Sequence, residues 1–301
     1  MWEYLWVVLI LIYGIFKGLR EGLKKKAMET NSVVEVLFFY TLFAFLMTIP
    51  MSLISASDSL FDVSLKYHLI LVLKSGIIFA AWLCALNSIK RLPLSVYSVI
   101  DMGRIISAIF LGMAFLGENV GAFQVVGIAL VIVGITLVNL KTKRGVDEKA
   151  NKKVITLIAI SGFLNSISSV MDKWLLSKEP NRFIFGSETI ETAQLQFWYM
   201  LYLVLFYAAY ILIKKEKIDA VKCVKCPWIW TLSLLFVVAD KCLFIANSDP
   251  NSTVVVMTLV KQSSVLVTIG MGWLIYKERN ILWRIACAVL VIGGIMLSLV
   301  E

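Results

Sequence analysis

The sequence predicts an all-α integral membrane protein whose ten transmembrane helices form two inverted five-helix repeats. Three observations carry this. Of 301 residues, 60% are hydrophobic and only 16% are charged, against an apolar share of about 45–50% in soluble domains. The apolar residues fall into ten runs long enough to cross lipid. The chain also matches itself when shifted by 160 positions.

A mean hydropathy of +0.87 leaves too little polar surface for a soluble fold of this length. It is also the reverse of the low hydrophobicity that keeps a chain disordered. Five cysteines are too few for a secreted disulfide scaffold. The net charge of +9 then needs a cause: a polyanionic partner, anionic lipid, or orientation in the membrane.

A helix crossing lipid needs about 20 mostly apolar residues. The runs are Trp2–Phe16, Val33–Ile54, Leu69–Asn87, Leu94–Gly117 and Gly121–Leu140, then Val154–Leu176, Leu195–Ile213, Trp228–Ala246, Val254–Ile275 and Ile281–Leu299. Strand alternation is absent, which argues against a β-barrel. Pro50, Pro93, Pro180, Pro227 and Pro250 all fall at span ends or in loops. There a missing N–H is harmless, so proline-broken helices are not expected to build a site. The first run does not read as a signal peptide: its positive charges follow the apolar stretch instead of preceding it.

The odd-numbered loops hold 20 Lys/Arg. They are Lys17, Arg20, Lys24, Lys25 and Lys26 in the first, Lys90 and Arg91 in the third, and Lys141, Lys143, Arg144, Lys149, Lys152 and Lys153 in the fifth. The seventh has Lys214, Lys215, Lys217, Lys222 and Lys225, and the ninth Lys277 and Arg279. The even loops hold three, Lys66, Lys178 and Arg182. Cytoplasmic loops carry the Lys/Arg excess, so the odd loops are expected inside and both termini outside. Short basic loops at helix ends are topology signals. Nucleic acid is therefore not expected as a partner, while contact with anionic lipid is compatible with the same residues.

Under the 160 shift, residues 115–137 fall on 275–297. Glu118 meets Glu278, Leu130-Val131-Ile132 meets Leu290-Val291-Ile292, and Gly134-Ile135 meets Gly294-Ile295. Asn87-Ser88 meets Asn247-Ser248, and Gly112 meets Gly272. With five spans in each unit, the second unit enters the membrane upside down. Inverted repeats are the architecture of secondary transporters, because one unit in two orientations can open a site first to one side and then to the other.

These pieces resemble the drug/metabolite transporter superfamily, specifically its EamA-like branch. The match rests on Phe115-Leu-Gly-Glu118 with Gly127 and Gly134, on Tyr276-Lys-Glu-Arg279 with Gly294, and on the stretch 74–95. The resemblance implies a transporter with a central cavity lined by spans one to four and six to nine, with spans five and ten peripheral. It divides the chain into a first repeat (1–140), a basic linker (141–153) and a second repeat (154–301). Two features depart from the family. Ile105 and Val265 stand where it often has proline, and its usual cytoplasmic termini are opposite to the charge count.

Charged residues remain inside the runs: Lys74, Arg104, Lys173, Lys241, Lys261 and Arg284, with Asp101, Asp172 and Asp240. Each costs about 2.5–3.5 kcal/mol at the centre of a lipid-facing helix, so they must face a wet cavity or one another. Tyr97, Asp101 and Arg104 share one helix face. Ser161, Asn165, Ser168 and Asp172 form a helical polar stripe that lipid cannot border. The candidate substrate-binding residues are therefore Lys74, Tyr97, Asp101, Arg104, Asn165, Ser168, Asp172, Asp240, Lys241 and Lys261. The plainer alternative is that Asp101 with Arg104, and Asp172 with Lys173, are ion pairs that fix helix packing. Lys173 and Arg284 can also snorkel to the interface.

Cations outnumber carboxylates near the midplane, which suits an anionic or zwitterionic guest. The first run offers only Glu3 as a carboxylate, which makes efflux of cationic drugs the second choice. Glu118 and Glu278 read as anionic caps at the starts of spans five and ten. Trp82 and Trp174 are candidate cavity walls. Cys223-x-x-Cys226 lacks a second Cys/His pair and reads as a plain cytoplasmic loop. With one histidine, and no metalloprotease, serine-hydrolase or ATP-binding motif, neither an enzyme nor an ATP-driven pump is expected. A channel is disfavoured by the duplicated halves. The expectation is a secondary transporter of a small polar metabolite in a cell membrane, such as the inner membrane of a bacterium. It would act as monomer or homodimer, without a cofactor. Coupling to H+ or Na+ would use Asp101, Asp172 or Asp240 as proton carriers.

Overall fold

The computed structural model describes residues 4–55, 60–92, 94, 97, 101, 103–140, 148–176, 190–275 and 281–298. These residues are helical almost throughout. The helices are α1 (Leu5–Ala27), α2 (Val33–Ser55), α3 (Leu65–Arg91), α4 (Gly103–Leu111), α5 (Ala122–Leu140) and α6 (Glu148–Leu176). They continue as α7 (Thr192–Lys214), the short α8 (Ala220–Lys225), α9 (Pro227–Asn247), α10 (Val254–Val260), α11 (Ser263–Leu274) and α12 (Ile281–Ser298).

Local chemistry sets several ends. Ser32 and Glu35 form a reciprocal cap at the start of α2, with the Ser32 N–H donating to Glu35 at 2.7 Å and the Glu35 N–H to Ser32 Oγ at 3.2 Å. Glu191 and Gln194 make the same box on α7. Pro227 opens α9 at a position that needs no N–H donor. Past α4 the chain makes one wide π turn, Gly112–Leu116, and stops at Gly117, whose φ of 66° only glycine adopts without strain.

The molecule is greasy outside and carries charge inside its apolar core. Leu73 is 61% exposed while its neighbour Lys74 is 1% exposed. Water would impose the opposite arrangement, so these faces are made for lipid, and the protein is a multi-pass integral membrane protein. Within the bundle, α1 packs on α9 and α11, α2 on α7, and α3 on α6 and α7, while α4 packs on α6. α5 and α12 pack chiefly on each other. There Gly294 lies so close to α5 that a Cβ would come 2.6 Å from the Gly127 carbonyl oxygen.

The expected ten spans in two inverted five-helix repeats are not what the structure shows. Among the described residues six helical segments are long and apolar enough to cross a membrane: Val33–Ser55, Leu65–Arg91, Lys152–Leu176, Thr192–Lys214, Pro227–Asn247 and Val254–Leu274. Arg104–Leu116 and Ala122–Gly134 are shorter apolar helices. The first expected span fails because α1 does not stop at Phe16. It runs on through Lys17, Arg20, Glu21, Lys24, Lys25 and Lys26 and is too charged along its length. The fourth expected span, Leu94–Gly117, lies only partly within the described residues, where it includes the short apolar helix Arg104–Leu116. Nor are there two clear five-helix units, because the main helix contacts join first-half helices to second-half helices and neither half closes a core of its own.

Candidate functional site

A cavity of about 90 Å³ lies in the middle of the bundle, walled by α1, α3, α4, α6, α7, α9 and the α10–α11 break. Nine of the ten sequence-predicted residues line it: Lys74, Tyr97, Asp101, Arg104, Asn165, Ser168, Asp172, Asp240 and Lys261. Lys241 does not. Its ammonium turns away and donates to Ser55 Oγ at 3.0 Å.

Helix α1 adds a set of lining residues that the sequence reading placed elsewhere. Tyr13, Lys17, Arg20, Glu21 and Lys24 all border the cavity. The charge pattern places Lys17, Arg20 and Lys24 in the first basic loop, but in the structure they lie inside the bundle on α1. The signal was present in the spacing: Tyr13, Lys17, Arg20 and Lys24 follow i, i+4, i+7, i+11 on one helical face. Tyr199 of α7 and Thr258 of α10 complete the polar wall. Trp82 also lines the cavity, whereas Trp174 does not.

The charges are arranged as pairs, some between elements and some within one. Lys74 Nζ lies 3.0 Å from Asp172 Oδ1, which joins α3 to α6. Arg20 is 3.7 Å from Asp240, which joins α1 to α9, and the Asp240 carboxylate also accepts from the Tyr199 hydroxyl. Asp101 Oδ2 faces both Lys17 at 3.5 Å and Arg104 Nη1 at 3.6 Å. Lys24 pairs with Glu21 within α1 at 2.9 Å. The expected Asp101–Arg104 pair is thus present, but Asp172 partners Lys74 and not Lys173. Lys173 instead donates to the carbonyls of Asn247 and Asp249 and to Ser252 Oγ, fixing the turn after α9.

Aromatic faces hold several of the same cations. Lys74 Nζ sits 4.4 Å from the centre of the Tyr199 ring, and Arg20 Cζ sits 5.0 Å from that of Phe236. Lys261 differs from the other five cations of the cavity in that, among the described residues, it makes no ion pair. It stands where α10 ends, and its ammonium lies 5.7 Å from the centre of the Tyr13 ring. No proline makes that break; the residues Lys261-Gln262 form a turn between two helical pieces.

Two further sequence readings change. Glu118 does not cap the helix it precedes. Its carboxylate accepts from the Val254 and Val255 N–H groups at 2.6 and 3.0 Å, so it caps α10. Glu278 lies outside the described residues, as do the side chain of Arg284 and the loop 141–147. The Cys223/Cys226 pair is more than an open loop: Cys223 donates to Asn31 Oδ1, and Asn31 Nδ2 donates to Cys226 Sγ, tying α8 to the α1–α2 turn. Burial pushes the Cys223 thiol up to about 11. Among the described residues no group of His, Cys, Asp or Glu is placed to hold a metal ion.

Comparison with known proteins agrees with this architecture. Residues 4–140 match the EamA-like transporter family, whose members are transporters and not enzymes. No curated protein gives a match. A protein known from its crystal structure superposes with a TM-score of 0.72 at 13% identity, covering 96% of this chain and 96% of that chain. At that identity the likeness is one of fold. The chain is thus a multi-pass helical membrane protein whose first half, residues 4–140, carries an EamA-like domain.

Proposed function

We propose that this protein is a secondary transporter, an exporter or exchanger, that moves a small polar solute of anionic or zwitterionic character through the central cavity by alternating access. One observation carries the reading. The cavity is lined by six cations, Lys17, Arg20, Lys24, Lys74, Arg104 and Lys261, against four carboxylates, Glu21, Asp101, Asp172 and Asp240. Buried charge is costly and seeks compensation. A guest with a negative group would balance the surplus, whereas a lipophilic cation would add to it.

The ion pairs suit a carrier as well as a fixed bundle. Arg20–Asp240 and Lys74–Asp172 each bridge two helices, and Lys17–Asp101 ties α1 to the turn before α4. A pair that exchanges partners as a guest binds can couple occupancy to helix movement. Asp101, Asp172 and Asp240 are the groups proposed to carry a coupled proton.

The test is counterflow in liposomes containing the purified protein. Saturable exchange of a labelled anionic or zwitterionic solute, driven by unlabelled solute on the opposite side, is the expected result. Unsaturable conductance, or exchange restricted to cationic compounds, would overturn the reading.

A further inference from the structure

We propose that Arg104 and Lys261 together form a receptor for the carboxylate of a small monocarboxylate guest. This rests on the transporter reading and narrows it to one substrate class and two residues.

The other cations of the cavity are already engaged. Lys74 has Asp172 at 3.0 Å and the Tyr199 ring beneath it, and Arg20 has Asp240 at 3.7 Å and the Phe236 ring. Lys24 has Glu21 at 2.9 Å, and Lys17 has Asp101 at 3.5 Å. Arg104 meets Asp101 through Nη1 alone. Its Nε and Nη2 are buried and have no hydrogen-bond partner among the described residues. Those two nitrogens lie on the same edge of the guanidinium, spaced for the two oxygens of one carboxylate, which is the geometry in which arginine outperforms lysine. A buried donor without an acceptor is expensive, so such an edge implies an acceptor that comes and goes.

Lys261 supplies the second half of the argument. It is 5% exposed, lines the same cavity and makes no ion pair among the described residues. It stands at the end of α10, and Arg104 stands near the start of α4, which packs against α10. Arg20 keeps a single unpartnered nitrogen, Nε, which cannot grip both oxygens of a carboxylate, whereas Arg104 keeps a whole edge; Arg104 and Lys261 come from adjoining elements.

Size and charge fix the class. A water needs about 10–15 Å³ of such space, so about 90 Å³ admits a guest of a few heavy atoms in this conformation. Elsewhere in the cavity Lys74 and Arg20 are already paired with Asp172 and Asp240, so a second negative group on the guest would meet cations that carboxylates already hold. A dicarboxylate or a sugar phosphate fits neither constraint.

The experiment measures thermal stabilisation of the purified full chain by acetate, lactate and pyruvate, each against its neutral amide, with inorganic phosphate as a separate probe. Saturable stabilisation by a carboxylate and none by its amide is expected for the wild type. The same is expected for Lys241→Met, whose side chain points away from the cavity. Arg104→Lys keeps the charge but loses the fork, and should weaken carboxylate binding about tenfold or more. Lys261→Gln should weaken it as well. It breaks no ion pair, so it decides the matter should Arg104→Lys fail to fold. Binding unchanged in these variants, equal binding of the amides, tighter binding of phosphate than of every carboxylate, or no carboxylate binding at all would each overturn the receptor. Carboxylate binding as expected without any counterflow in liposomes would instead overturn the transporter reading and leave the receptor standing. Counterflow that is unaffected in both variants does the reverse.

Discussion

Lys74 and Asp172 face each other at 3.0 Å with side chains 1% and 6% exposed, a full ion pair shut inside a bundle whose outer faces are hydrocarbon. Neither charge has water to return to, so each depends on the other. Removing one partner from such a pair costs about 3–5 kcal/mol, whereas replacing both with apolar groups is often neutral. Lys74→Met and Asp172→Leu should each lower the melting temperature of the detergent-solubilised protein steeply, and the double variant should recover most of the loss. Single variants that melt with the wild type would show that the pair is not holding α3 against α6.

The carboxylate of Glu118 reaches another helix. It takes the Val254 and Val255 N–H groups at the start of α10, 136 and 137 residues further on. A helix start has unpaired N–H groups and a positive dipole end, so a carboxylate there satisfies both. Losing such a cap costs about 0.5–2 kcal/mol, and Glu118→Ala should show it in the same melting assay. Burial raises the Glu118 carboxyl above its ordinary range, more than the two N–H groups lower it. The folded chain therefore holds this proton to higher pH than the unfolded chain, whose glutamates titrate near about 4.3. In that window the folded state binds more protons, so the contribution of this group falls as pH rises. Glu118→Gln should remove that slope on the acid side of the stability profile.

Close approach of α1 to α11 depends on Gly14, Gly18 and Gly22, spaced four apart. A Cβ on Gly18 would come 2.5 Å from the Ser264 carbonyl oxygen and 2.5 Å from Val267 Cβ. The first of these is backbone and cannot turn aside. Small residues at this spacing are how helices approach closely in lipid, where no hydrophobic force draws them together. Gly18→Val should cost about 1–3 kcal/mol by overpacking. Gly121→Ala, with nothing within 4 Å of its added carbon, should be neutral. Equal stability of the two variants would mean that the α1–α11 contact is not structural.

That same stripe explains what the sequence hid. Lys74, Asp101, Arg104, Asp172 and Lys261 were legible because a charge inside an apolar run has few places to go. Lys17, Arg20 and Lys24 were not, because a cluster of cations after sixteen mostly apolar residues has the pattern of a loop that orients a span. The glycine period continues through the cluster to Gly22 and marks α1 as one helix to Ala27. The cross-half packing of α1 on α9 and of α3 on α6 was invisible for a different reason. Helix pairing in lipid is settled by side-chain fit, and the alignment of two halves says nothing about which faces meet. Glu118 could be read only as a cap for its own helix, since no local pattern points to a partner 136 residues away.

Moving Lys17, Arg20 and Lys24 into the bundle takes three charges out of the first basic loop, and orientation now rests on the others. Lys214, Lys215, Lys217, Lys222 and Lys225 are all exposed, in the segment that joins α7 to α9. Short loops rich in Lys and Arg resist translocation across the membrane. The α7–α9 segment should therefore lie on the cytoplasmic side. Membrane-impermeant thiol labelling of a single cysteine placed at Lys217 in intact cells checks this. Residue 217 should label only after the membrane is permeabilised, and labelling in intact cells would show that the charge count misplaces this segment.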